Sequence, residues 1–108
     1  MVSEDDIVKF ALALDDVTEK EVAPDEKRRI FCRGERIFCV ISRGYQPVRL
    51  DLRCDSKLAK TLQERYESVM QSRVLGRGGI EVLCTGQLEP NEVLDLVRHS
   101  YEESAPEE

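Results

Sequence analysis

The sequence predicts an α+β domain, a two-layer arrangement with an antiparallel sheet and helices on one face, in the order α-β-β-β-α-β-β-α. Three observations lead there. Three segments repeat apolar residues at the i, i+3, i+4 spacing of a helix with one buried face. The segments between them alternate apolar with polar residues, the pattern of strands in a sheet with one solvated side. A chain of 108 residues has room for one core only.

The first helix starts at Ser3, where Ser3 and Asp6 have capping-box spacing and Glu4, Asp5 and Asp6 place acid at the positive end of the helix dipole. Ile7, Phe10, Ala11 and Leu14 form its apolar face, and Asp15 and Asp16 end it. Residues 17–27 are polar, contain Pro24 and read as a short strand or a loop. RRIFCRGERIFCVIS then reads as a hairpin around Gly34-Glu35, since glycine at the first central position suits a type II′ turn. Such a turn pairs residues whose numbers sum to 69. Arg28, Ile30, Cys32, Ile37, Cys39 and Ile41 then share one face, and Arg29, Phe31, Arg33, Arg36, Phe38 and Val40 share the other.

RGYQP, at 43–47, is a turn. In VRLDLR, Val48, Leu50 and Leu52 point inward and Arg49, Asp51 and Arg53 outward, the cleanest half-buried strand in the chain. Asp55 caps a second helix running to about Met70, with Leu58, Ala59, Leu62, Tyr66 and Val69 as its stripe. An extended piece at 72–75 leads through GRGG to a strand at 80–85. Pro90 opens a third helix to about Tyr101, with Val93, Leu94, Val97 and Tyr101 inward. Residues 1–102 make a single domain, and the acidic tail 103–108 is expected to be disordered.

The net charge of -6 argues against generic polyanion binding, but the total hides a segregation. Residues 1–26 carry nine acids against two bases, and residues 78–108 eight acids against one. Residues 27–77 carry thirteen bases against five acids, including ten of the eleven arginines. The N-terminus is acidic where a signal peptide is basic, and no apolar run approaches the roughly 20 residues of a membrane span, so a cytoplasmic protein is expected. Cys32, Cys39, Cys54 and Cys84 form no C-x-x-C clip, and His99 is the only histidine. The cysteines therefore read as structural thiols, with no metal, no cofactor and no catalytic set expected. Asp5/Asp6 and Asp15/Asp16 are adjacent pairs whose side chains diverge, so neither specifies a carboxylate cage.

The sharpest constellation is the expected outward sheet face. Arg29, Phe31, Arg33, Arg36 and Phe38 would lie beside Arg49, Asp51 and Arg53. Guanidinium groups interleaved with aromatic rings suit single-stranded or distorted nucleic acid, with phosphates on Arg and bases stacked on Phe. The competing reading packs the two Phe under a loop or a second subunit and neutralises the Arg with the acidic termini. GRGG lacks the Lys-Ser/Thr sequel of a phosphate-binding loop and reads as a flexible connection.

RGERIFCVI, VRLDLRCDSKLAKTLQERY, SRVL and GQLEPNEVLDLVRHSY, with its Ser100-Tyr101 pair, resemble the MmcQ/YjbR family of small bacterial proteins from about residue 7 to residue 102. The resemblance implies a two-layer antiparallel fold of the CyaY-like or secretion-chaperone-like kind and a DNA-binding role. Where relatives carry a polar stretch with His, Asn, Lys and Trp, this chain has GRGGIEV, and of the family surface only Arg73 and Arg77 carry over. The expected function is thus a non-enzymatic module contacting nucleic acid through Arg29, Phe31, Arg33, Arg36, Phe38, Arg49, Arg53, Arg73 and Arg77. The alternative is a protein-interaction module, monomeric or homodimeric, whose basic face docks an acidic partner.

Overall fold

The computed structural model describes residues 2–44 and 47–105. The elements run α1 (Glu4–Leu12), β1 (Val17–Lys20), β2 (Arg28–Arg33), β3 (Arg36–Ser42), β4 (Arg49–Arg53), α2 (Ser56–Arg65), β5 (Val69–Gln71), β6 (Gly79–Leu83) and α3 (Pro90–Glu103). The expected order holds, with β1 added in the stretch that read as strand or loop. All six strands form one antiparallel sheet in the order β1-β2-β3-β4-β6-β5. Ile7 and Ala11 of α1, Leu62 of α2, and Val93 and Val97 of α3 join Ile41, Leu50, Leu52, Ile80 and Val82 in a single core. The helices therefore cover one face of the sheet.

The caps form as expected. Ser3 Oγ accepts from the Asp6 N–H at 3.1 Å while Asp6 accepts from the Ser3 N–H at 3.2 Å. Asp55 accepts from the N–H groups of Lys57 and Leu58, and Pro90 sits at the start of α3. Helix α2 stops earlier than its periodicity suggests. Tyr66 is already extended, and Val69–Gln71 leaves the helix to pair along the edge of β6, with Val69 opposite Val82. Ladder hydrogen bonds and the burial of a β-branched Val outweigh one more helical turn. Residues 72–75 form a turn instead of an extended piece, because Ser72 Oγ accepts from the N–H groups of Val74 and Leu75.

The hairpin departs from its expected register in one step. Near the turn the pairing holds, with Arg33 facing Arg36 and Cys32 facing Ile37, and Gly34 takes a φ of +59°. Between Phe31 and Cys32 the register shifts, so Phe31 faces Cys39 and Ile30 faces Val40. The extra residue, Phe38, makes a β-bulge. One added residue exchanges the faces on either side of it. Phe31, Cys39 and Ile41 therefore look toward the helices together, while Ile30 and Val40 share the opposite face with Asp51.

Helix α3 is fastened at that bulge. Ser100 Oγ accepts from the Arg53 N–H at 2.8 Å and donates to the Phe38 carbonyl, the residue left out of the ladder. The Tyr101 hydroxyl donates to the Asp15 carbonyl at 2.8 Å, and its ring meets Phe38 edge-on at 5.8 Å. Glu103 and Ser104 do not belong to the expected disordered tail. The helix includes Glu103, and Ser104 is buried with its hydroxyl on the Ser100 carbonyl at 2.9 Å. The remainder of that expectation, at 106–108, lies outside the described residues, as do Tyr45 and Gln46 of the expected RGYQP turn.

Candidate functional site

The bulge redistributes the residues expected on the outward face. Phe31 and Phe38 are 0% exposed and lie in the core, so neither offers a ring to a base. Arg29 follows Phe31 to the helix side. It donates to Glu19 at 2.8 and 2.9 Å and meets Glu4 of α1 at 3.3 Å, which holds its guanidinium pKa above the ordinary value. Arg33 donates to the Tyr101 carbonyl at 2.9 Å and lies 3.9 Å over that ring. Arg53 donates through Nε to the Ile37 carbonyl at 2.6 Å. These five side chains serve packing and helix attachment. The acidic N-terminal segment thus neutralises part of the basic strand, as the competing reading anticipated.

Arg36 is at the hairpin tip, across from Arg33. Arg77 lines a separate hollow of about 540 Å³ with Lys60 and Gln63 of α2. Arg49 and Arg73 of the expected set meet at a groove of about 680 Å³ on the open face of the sheet, where Lys27 and Arg28 join them. The groove crosses β2, β3, β4 and β6, through Arg28, Ser42, Arg49 and Glu81. Asp25–Lys27 bound it ahead of β2, and Arg73 and Val74 bound it after β5.

Glu81, which lines the groove, belongs to an arrangement that the sequence reading did not single out. Asp51 of β4 and Glu81 of β6 are direct cross-strand partners, 0% and 4% exposed. Ser72 Oγ donates to Asp51 Oδ1 at 2.7 Å, and Arg73 reaches Glu81 Oε2 at 3.6 Å, beyond hydrogen-bond distance. Asp51 Oδ2 and Glu81 Oε2 receive no hydrogen bond. Like charges directly opposite on a ladder destabilise it. At an effective dielectric near 20, two charges about 5 Å apart repel by on the order of 3 kcal/mol. Burial, above all, raises the Asp51 carboxyl pKa above its ordinary value. The Ser72 hydrogen bond works against that shift, and the Glu81 charge adds to it.

The signal for this pair was present in the strands themselves. Asp51 interrupts Leu50 and Leu52, and Glu81 interrupts Ile80 and Val82. Each is a lone acid at the centre of its strand, between two apolar neighbours, and only the β4–β6 pairing brings them side by side.

The raised pKa sets a sign for stability. A carboxyl that binds its proton more tightly folded than unfolded contributes stability at low pH, which is lost as pH rises from the unfolded value, about 3.9, through the folded one. Asp51→Asn should remove that loss. In urea titrations from pH 4 to pH 8 the variant gains on the wild type by about 1.4 kcal/mol for each unit of upward shift. A constant difference across that range would show an Asp51 carboxyl with an ordinary pKa.

The four thiols are buried and unpaired. Burial pushes Cys54 and Cys84 up to about 11 and Cys39 higher, so their thiolates are scarce at neutral pH. His99 is on the helix side, its Nε2 accepting from the Asp55 N–H at 3.2 Å. Among the described residues no three His, Cys, Asp or Glu side chains gather as a metal cluster, and no helix is long and apolar enough to cross a membrane.

Solved structures that match this architecture include two bacterial proteins. The Deinococcus radiodurans protein DR2400, with a DUF419 domain, superposes with a TM-score of 0.82 at 21% identity, over 90% of this chain and 74% of that one. The chain shares this fold. A Pseudomonas syringae protein superposes with a TM-score of 0.79 at 14% identity, over 96% of this chain and 100% of that one. No family model and no curated protein matches the sequence.

Proposed function

We propose that the chain is a small, non-enzymatic, cytoplasmic binding module of the MmcQ/YjbR type that contacts nucleic acid through the groove on its open sheet face. The observation that carries this reading is the convergence of Lys27, Arg28, Arg49 and Arg73 from three separate segments on one groove. With both Phe in the core, recognition runs through phosphates and not through base stacking. The motifs that resemble the MmcQ/YjbR family support it as analogy. Asp25, Glu26 and Glu81 line the same groove and lower the expected affinity.

Those acids also favour a second reading, a protein partner carrying both signs of charge. One experiment separates the two. Fluorescence anisotropy with a labelled single strand and a duplex, at about 50 mM salt, should show binding that weakens steeply with added salt. Reversing two phosphate-contacting cations with Arg28→Glu and Arg73→Glu should weaken single-strand binding at least tenfold. It should also reduce the slope of log K against log salt by about 1.4, roughly 0.7 per lost contact. Absence of binding to either probe at low salt ends the nucleic-acid reading. A changed sedimentation mass in the same variant, without affinity for nucleic acid, supports the protein partner.

A further inference from the structure

We infer that Asp51 and Glu81 together hold a single proton under the groove, and that an anion bound above them is coupled to it. The inference rests on the groove being the ligand site. Geometry carries it. Two carboxyl groups oppose each other across one ladder, both more than nine-tenths buried, and each keeps one oxygen without a donor. Two buried carboxylates held side by side are most stable when a proton or a cation lies between them.

The groups that face the pair define how it responds. On β4, Arg49 and Arg53 flank Asp51 on the same face. Across the groove, Arg28 opens β2 behind Lys27, with Asp25 and Glu26 ahead of them. From the turn after β5 come Ser72, on Asp51, and Arg73, on Glu81. β5 contributes Met70, opposite Glu81, and β3 contributes Val40, opposite Asp51, neither of which titrates. Arg28 and Arg73 oppose the upward shift of the Asp51 carboxyl. An anion that engages these two arginines removes their counter-charge from the pair and adds its own. It thereby strengthens proton binding below, and by linkage the proton strengthens anion binding above. Protonation also releases Arg73 from Glu81 toward the ligand.

The sole histidine lies across the sheet on the helix side, so it does not account for a pH dependence of the groove near neutrality. One proton taken up per anion gives at most a tenfold rise in affinity per unit fall in pH.

Two measurements test this. Carbon-detected NMR of the side-chain carboxyls, on the free protein, should show the Asp51 signal titrating well above the ordinary carboxylate range. Its midpoint should fall in Glu81→Gln. An Asp51 signal that titrates in the ordinary range, or an unchanged midpoint in Glu81→Gln, overturns the shared proton. At constant ionic strength, affinity for a labelled single-stranded oligonucleotide should fall by up to tenfold per unit as pH rises through the Asp51 midpoint. In Asp51→Asn, checked for folding by its amide spectrum, that dependence should flatten. Equal slopes in wild type and Asp51→Asn overturn the coupling. An oligonucleotide that binds at no pH overturns the nucleic-acid reading and the coupling with it, while the carboxyl titration separately decides the shared proton.

Discussion

Replacing Phe38 with Ala should remove about 3–5 kcal/mol of folding stability, as truncation of a fully buried aromatic ring does. Phe38 is 0% exposed, packs its ring edge-on against Tyr101, and presents its carbonyl to Ser100 at the bulge. Truncation empties the space beneath α3 at the point where that helix is fastened to the sheet. The contact with Tyr101, itself bonded to Asp15, loosens with it. Urea denaturation followed by circular dichroism measures the loss. Any nucleic-acid affinity should then fall only with the folded fraction. Unchanged stability with abolished nucleic-acid binding would return Phe38 to the surface as a stacking platform.

Gly79→Ala should cost about 1–3 kcal/mol, the range for forcing atoms into filled space. Gly79 has no positive φ, so its backbone accepts alanine and the obstacle is room alone. A Cβ there would lie 2.8 Å from Leu75 Cβ, 3.1 Å from Ser72 Cβ and 3.3 Å from the Leu52 carbonyl oxygen. Two of these are Cβ atoms, fixed to the backbone, and the third is backbone itself, so none rotates away. The 72–75 turn must lift, and the Ser72–Asp51 hydrogen bond must stretch with it. Denaturation measures the stability. Faster hydrogen exchange at the Val74 and Leu75 amides, both bonded to Ser72 Oγ, locates the damage. A variant within about 0.5 kcal/mol of wild type, the range of an uninvolved surface change, would show that the turn yields freely.

Much of the fold was legible because local chemistry decides it. Ser3 with Asp6, Asp55 and Pro90 mark helix starts through hydrogen bonds and φ preferences within a few residues. The strand 49–53 shows its faces because arginine and leucine alternate there. The hairpin does not. Ile30, Phe31, Cys32, Ile37, Phe38 and Cys39 are apolar on both sides, so alternation leaves the register open by one residue. That single step placed Phe31 and Phe38 on the wrong face and kept Arg28 out of the expected site. Arg49 was reached from the alternation of its strand and Arg73 from the family resemblance, and both line the groove. Asp51 and Glu81 were out of reach for a different reason. They are far apart in the chain, and only the β4–β6 pairing brings them together.

The bulge at Phe38 behaves like a shift of reading frame in the hairpin. A chain without that one residue would keep the same β2 pairings, with Arg28 still in the groove and Arg29 still on Glu4 and Glu19. It would lose the unladdered carbonyl and the ring on which Ser100 and Tyr101 of the last helix close. The extra residue therefore serves as a socket for α3 and leaves the charge of the ligand face untouched.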